Sequence, residues 1–197
     1  MTTHPGDDVR VLMIDTSSRR RVVCVLAQPF GELISGVREE GVDIDRALPP
    51  ALHSLLSDEV THVAVVTGPG SYTGLRAGMA AALGIAHARG LTLCGLPSLV
   101  PINHAAEATG ARQGWAVADA GRGAIYAMRF SGNLRAETAR VELSDFGSDG
   151  EPVFSADALP IDGVRHVDPA LGLALAVDSA LGRPLAYEAL RGEYEAG

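Results

Sequence analysis

Apolar and polar positions along this chain fall into short blocks punctuated by Gly, Pro, Ser and Asp. Residues 11–14 (Val-Leu-Met-Ile) are apolar and run into Asp15, Thr16, Ser17 and Ser18, all turn formers, so a strand and a tight turn are predicted there. Residues 22–27 predict the returning strand, and 33–37 a third after a turn at Gly31. Leu48, Leu52, Leu55 and Leu56 recur at helical spacing and predict a helix over about 45–57, capped by Asp45, with Pro49 and Pro50 in or near its first turn. Residues 62–67 form another apolar strand block. A helix is expected from Leu75 to Arg89, stopped by Gly90. Further on, the pattern predicts a strand at 91–96, a short helix capped by Ser98 and ending near Gly110, and strands at 115–118 and 124–130. Residues 135–143 alternate like a strand, 168–181 read as helix, and the last dozen residues are ambiguous.

The blocks contain one internal echo. Residues 11–27 and 115–130 share a plan: an apolar strand, a terminal Asp, a turn of small residues with Arg, and an apolar return strand. Asp15 in the first copy stands where Asp119 does in the second. Two related lobes are expected from this repetition. The expected division is a flexible leader over 1–10, one lobe over 11–110 and a smaller lobe over 111–197.

The sharpest local signal is Gly68-Pro69-Gly70-Ser71-Tyr72-Thr73-Gly74-Leu75-Arg76-Ala77-Gly78, set between a buried strand and a helix. Gly68, Gly70 and Gly74 permit close backbone approach, while Ser71 and Thr73 offer hydroxyls where a helix begins. Such a loop could hold an anion, or its hydroxyls could simply cap the helix; the pattern leaves both open. The helix that follows is built from small residues, and Gly74, Gly78, Ala82 and Ala86 recur every fourth position. Two interior glycines cost such a helix about 2 kcal/mol relative to alanine, which close packing has to offset. That packing could lie within the chain or against another subunit.

Asp15 and Asp119 are the candidate carboxylates, either as chemical groups or as turn stabilisers. The six histidines never fall at metal-ligand spacing, and no Gly-x-Ser-x-Gly elbow occurs. Arg19-Arg20-Arg21 reads as a solvated basic turn, with an RNA contact as the alternative.

Composition narrows the classes. With 47% hydrophobic and 20% charged residues, the 197-residue chain is a globular protein rather than a disordered one. No apolar stretch is long enough to span a bilayer, and residues 1–8 carry no secretory pattern, so a cytoplasmic protein with no membrane contact is expected. All sixteen basic residues are Arg; the absence of Lys excludes Schiff-base chemistry and a Walker A lysine. The formal net charge of −8 disfavours stand-alone nucleic-acid binding, and any RNA contact requires a local Arg patch or a basic partner. Cys24 and Cys94 sit in apolar blocks and read as reduced core thiols.

The glycine loop, together with Ile14-Asp15-Thr16-Ser17 before it and Asp119-Ala120-Gly121-Arg122-Gly123 with Tyr126 after it, closely resembles the TsaB (YeaZ) family, over residues 11 to about 130. This is the bacterial accessory subunit family of tRNA threonylcarbamoyladenosine synthesis. The resemblance implies an α/β, actin-like (ASKHA) fold of two duplicated ribonuclease-H-like lobes. It implies a non-catalytic scaffold that docks a TsaD-like catalytic subunit through a helical bundle, with a TsaE-like ATPase joining the pair, and that forms a homodimer when alone. On this basis tRNA is met through the complex, the chain alone binds no cofactor or metal, and ATP or ADP belongs to the multi-subunit assembly. The metal-binding His-x-x-x-His pair of TsaD is missing here. The docking face is expected on helices 45–57 and 75–89, through Leu52, Leu56, Leu75, Gly78, Met79, Ala82 and Ala86. The family loop, with Gly68, Gly70, Ser71, Thr73, Gly74 and Arg76, is the expected anion site if one exists. The family's Arg-x-His-Ser-Glu stretch is replaced by Asp43-Ile44-Asp45-Arg46-Ala47, and the C-terminal half is trimmed. The rival enzymatic assignment is an actin-fold ATP-dependent phosphotransferase with Asp15 positioning metal-ATP; against it, the turn after Asp15 lacks the expected glycine. A peptidase has no supporting constellation, and a homodimeric regulator outside tRNA modification is the remaining rival.

Overall fold

The computed structural model describes residues 8–132 and 134–186. Residues 1–7 of the expected leader and the ambiguous C-terminal segment 187–197 lie outside the described residues.

Strands β1 (Val11–Asp15), β2 (Arg21–Gln28) and β3 (Glu32–Glu40) form an antiparallel meander. Helix α1 (Ile44–Leu55) leads to β4 (His62–Gly68), which lies parallel to β1, and helix α2 (Tyr72–Arg89) crosses over to β5 (Thr92–Pro97), parallel to β4. The sheet order is β3-β2-β1-β4-β5. Because β1 and β2 are buried on both faces, they read in sequence as continuous apolar runs rather than alternating ones. Leu12, Ile14, Val22 and Cys24 face α1 and α2, whereas Val11, Met13, Val23 and Val25 face the opposite layer.

After α3 (Leu99–Ala108), the plan repeats. Strands β6 (Gln113–Gly121) and β7 (Ala124–Ser131) pair antiparallel, and β8 (Leu134–Arg135) and β9 (Ala139–Glu142) both pair with β7. Strands β10 (Val153–Ser155) and β11 (Arg165–His166) add in parallel on the other side of β6, giving the order β11-β10-β6-β7-β8. This is the first sheet's order with β6 in the place of β1, so the fold is the duplicated, mixed-sheet α/β architecture. The second copy has no counterpart of α1 or α2 among the described residues. A single 3-10 turn (Leu143–Asp145) stands where α1 would be, and no helix joins β10 to β11.

Helices α4 (Pro169–Leu175) and α5 (Val177–Leu181) return to the first sheet. Leu173, Ala174 and Val177 pack on its free face with Val100 of α3, while Leu99 and Ile102 of α3 pack on the second sheet. Helix α3 therefore lies between the sheets. A Cβ on Gly172 would collide with the Pro101 carbonyl, so glycine is what lets α4 sit against α3. Among the described residues, no helix is long and apolar enough to cross a membrane.

Several local expectations are corrected. Helix α1 starts at Ile44, with Asp43 rather than Asp45 at the N-cap position and no side-chain cap there, which puts Pro49 and Pro50 in its second turn. The carbonyls they leave without donors, on Asp45 and Arg46, belong to exposed residues. Helix α2 begins three residues earlier than Leu75, because Ser71 caps it by accepting from the Gly74 N–H at 3.4 Å. Ser98 does not cap α3; its hydroxyl donates to the Pro69 carbonyl at 2.6 Å. The expected strand at 135–143 is split into β8 and β9, and the helix expected at 168–181 is split at Ala176.

Candidate functional site

The two hairpin turns that open the lobes are built alike and face each other. Asp15 Oδ1 accepts from the Ser17 N–H at 2.8 Å and from the Ser17 hydroxyl at 2.6 Å. Asp119 Oδ1 accepts from the Gly121 N–H at 2.7 Å, the same i to i+2 turn. Both carboxylates thus stabilise the turn in which they sit. Asp15 is buried and Asp119 exposed.

The glycine loop is fastened on both sides. The Ser71 N–H donates to the Ser17 carbonyl at 2.7 Å, and the Ser98 N–H to the Gly68 carbonyl at 3.0 Å. A Cβ on Gly70 would lie 2.6 Å from the Ser17 carbonyl oxygen, and one on Gly74 would collide with the Thr16 carbonyl. These glycines serve the approach of the loop and α2 to the Thr16–Ser17 backbone. The Thr16 hydroxyl, fully buried, donates to the Gly74 carbonyl at 2.7 Å. Arg76 lies exposed on the first turns of α2, donating to the Tyr72 hydroxyl at 2.6 Å with its guanidinium 5.1 Å from the ring centroid. Thr73 is exposed beside it.

The lobes are locked together beside Asp15. Arg21 Nη1 donates to Asp157 Oδ1 at 2.6 Å and to the Ala156 carbonyl at 2.9 Å, and Asp157 Oδ2 accepts from the Asp119 N–H at 3.1 Å. The cavity left between the two turns measures about 20 Å³, enough for one water molecule. Arg21 is therefore a correction to the solvated basic turn: Arg19 and Arg20 are exposed, but Arg21 is buried. Neither Thr16 nor the Arg21–Asp157 pair was legible as a site feature, since both rely on partners far away in sequence. A wider cleft of about 500 Å³ opens beyond the turns, lined by Arg19, Tyr72, Asp119, Arg122 and Arg140 among others.

The small-residue stripe points inward. Gly74, Gly78, Met79, Ala82 and Ala86 are buried, and a Cβ on Gly78 would collide with the Thr16 hydroxyl. Leu52 is buried in the same core, with Leu56 and Leu75 partly buried against it. Of the residues expected on the docking face, Leu52, Gly78, Met79, Ala82 and Ala86 are thus placed inside the chain, where they hold α1 and α2 onto their own sheet, while Leu56 and Leu75 keep part of their surface exposed. A different row faces outward. Thr73, Ala80, Gly84 and Ala88 are exposed and Ala77 and Ala81 half-buried, all on one face of α2. Nothing among the described residues lies within 4 Å of a Cβ placed on Gly84. Among the described residues, no group of three or more His, Cys, Asp or Glu side chains is arranged to hold a metal ion.

In fold, the chain is similar to YeaZ from Pseudomonas aeruginosa, with a TM-score of 0.69 and 19% identity over 92% of this chain and 97% of that one. It is similar also to a structure described as an uncharacterized protein with similarity to peptidase YeaZ from Pseudomonas aeruginosa, with a TM-score of 0.68 and 19% identity over 91% and 96% of the two chains. No curated protein sequence matches the chain. The model of the TsaD family, described as tRNA N6-adenosine threonylcarbamoyltransferase, matches residues 44–144, which run from α1 through β9, and the chain belongs to that tRNA-modification family while carrying the YeaZ fold.

Proposed function

We propose that this chain is a TsaB-type scaffold: a cytoplasmic, non-catalytic subunit that docks and supports a TsaD-like catalytic subunit, with a TsaE-like ATPase completing the assembly. In that assembly the partner subunit transfers the threonylcarbamoyl group to the adenosine beside the anticodon, and ATP or ADP is held by the complex rather than by this chain alone. The docking face is the outward row of α2 with the exposed part of α1; a second copy of the chain covers it when the partner is absent.

Gly84 carries this assignment. A glycine inside a helix costs about 1 kcal/mol relative to alanine. For Gly78 the chain has its own use, since Thr16 occupies the space of a side chain. Gly84 is exposed with nothing near it, and no contact among the described residues explains it. A flat row of Ala77, Ala80, Ala81, Gly84 and Ala88 lets another helix approach closely and gain dispersion contacts along its length. The phosphotransferase alternative is disfavoured by the geometry around Asp15. A nucleotide needs a site of some hundreds of Å³, whereas Asp15 lines a space of about 20 Å³ shut by the Arg21–Asp157 pair.

The test is co-expression with a TsaD-like subunit from the same source, followed by affinity capture. The wild-type chain is expected to be retained and to raise the yield of threonylcarbamoyladenosine in tRNA, while Gly84→Leu and Ala80→Arg, both folded, are lost from the complex. Retention of both variants at wild-type affinity overturns the docking face. A wild-type chain that neither binds the subunit nor supports modification overturns the scaffold assignment itself.

A further inference from the structure

The wide cleft beyond the two hairpin turns collects positive charge on a chain whose formal net charge is −8. Arg19 comes from the β1–β2 turn, Arg122 from the β6–β7 turn and Arg140 from β9. Arg19 and Arg122 are exposed, and neither has an acidic side chain within salt-bridge distance among the described residues. Arg140 is paired with Glu142 at 2.7 Å, itself exposed. Asp119 is the acid of the cleft lining, and its Oδ1 is occupied by the Gly121 N–H.

Two details indicate that the guanidiniums are placed rather than scattered. A Cβ on Gly121 would collide with the Arg19 guanidinium, so Arg19 lies across from its own hairpin onto the turn that carries Arg122. Arg122 has φ 57°, between Gly121 at 71° and Gly123 at 80°. At such a position glycine is favoured, and an arginine stands there at a conformational cost although its head group has no acidic partner among the described residues. Beside these cations stands Tyr72, an aromatic ring 56% exposed, with the Arg76 guanidinium at 5.1 Å from its centroid.

Guanidiniums with no acidic partner among the described residues, near an exposed aromatic ring, are the chemistry that holds a single nucleic-acid strand: cations take phosphates and the ring stacks a base. We propose that this cleft binds a single-stranded RNA segment, with Arg19 and Arg122 on the backbone, Arg140 at the margin, and Tyr72 stacked on a base. The choice of RNA over other phosphate esters rests on the tRNA-modification assignment above. The local Arg patch that an acidic chain requires for RNA contact is supplied here.

The test measures binding of a fluorescent ten-nucleotide single-stranded RNA to the full-length chain at 50 to 200 mM salt, with ATP and inorganic tripolyphosphate as competitors. Arg122→Gly is the informative variant, because glycine suits the positive φ and the fold is expected to be at least as stable. It should weaken RNA binding several-fold and lower the salt slope by about 0.7. Tyr72→Ala should weaken binding by about fivefold or more, and Tyr72→Phe should restore it. RNA affinity unchanged within twofold in both Arg122→Gly and Tyr72→Ala overturns the proposal. So does an absence of RNA binding at 50 mM salt, or binding of ATP and tripolyphosphate without RNA, which would mark a small-anion site. RNA bound in this way by a chain that does not support a TsaD-like subunit would sink the scaffold assignment alone. A chain that supports the subunit with its cleft variants fully RNA-competent would sink only this inference.

Discussion

The hydroxyl of Thr16 donates to the carbonyl of Gly74 at 2.7 Å, joining the first hairpin turn to the first turn of α2 across 58 residues of sequence. The same threonine sets the size limit on α2. Its carbonyl lies where a Cβ on Gly74 would go, and its hydroxyl lies where a Cβ on Gly78 would go. Gly74→Ala and Gly78→Ala gain helix propensity of about 1 kcal/mol each, yet force backbone or a fully buried side chain to move. Both are expected to destabilise the protein by about 1–3 kcal/mol, Gly74→Ala the more, since backbone gives way less readily. Urea midpoints of the two variants check this; a midpoint at or above wild type would show that α2 can lift away from Thr16 without cost.

Gly84, six positions on from Gly78 in the same helix, should behave in the opposite way. With open space around it, Gly84→Ala gains propensity and meets nothing. In the dissociated chain a stabilisation of about 1 kcal/mol is expected, which in a chain of this size raises Tm by roughly 2–4 °C. Thermal melts of the dilute purified chain read it directly, and a fall in Tm there would mean that a side chain at Gly84 is not tolerated by the chain itself. At concentrations where a second copy covers the outward face of α2, the gain should shrink or reverse.

Arg21 and Asp157 are joined at 2.6 Å, with side-chain exposures of 9% and 14%. Removing one member of a buried pair strands the other, which costs about 3–5 kcal/mol, while removing both costs much less than the sum. Arg21→Met should therefore be severely destabilising and Arg21→Met with Asp157→Asn considerably milder. A double-mutant cycle by chemical denaturation measures the coupling. Additive effects would show that the lobes are held by the α3 and α4 layer alone.

How much of this was legible depended on how far each feature reaches in sequence. The strands β1 and β2 were readable because burial on both faces leaves unbroken apolar runs, and the Asp15 and Asp119 turns because their hydrogen bonds close within two residues. The end of α2 was readable because Gly90, at φ 64°, closes it in the left-handed conformation that glycine favours. Strands β10 and β11, three and two residues long, are too short to show a period. The direction of the small-residue stripe was not decidable from spacing, because α2 is small on two faces: Gly74, Gly78, Ala82 and Ala86 inward, Ala80, Gly84 and Ala88 outward. Only the position of Thr16 separates them. The Arg21–Asp157 pair spans 136 residues and leaves no local trace.

His104 gives the protein a pH dependence whose sign follows from its surroundings. Its imidazole sits on α3, with Nε2 2.9 Å from the Ser179 hydroxyl and 3.3 Å from Arg135 Nη2, and Nδ1 3.5 Å from Glu107. Burial, reinforced by the Arg135 charge and partly opposed by Glu107 and Asp178, holds its pKa below the ordinary 6.5. Burial lowers His62 in the same direction. Well above pH 6.5 these histidines are neutral in both folded and unfolded chains and contribute no slope. As pH falls through 6.5, the unfolded chain takes up protons that the folded chain still refuses, so stability drops until the folded pKa is passed. Over that window His104→Gln should flatten the loss, leaving the part due to His62 and the carboxylates, and its Tm should converge with wild type as the pH is lowered from 7.5 to 5.5. Parallel Tm curves for the two proteins would mean that His104 titrates as it does in the unfolded chain and that the Ser179 and Arg135 contacts do not hold it neutral.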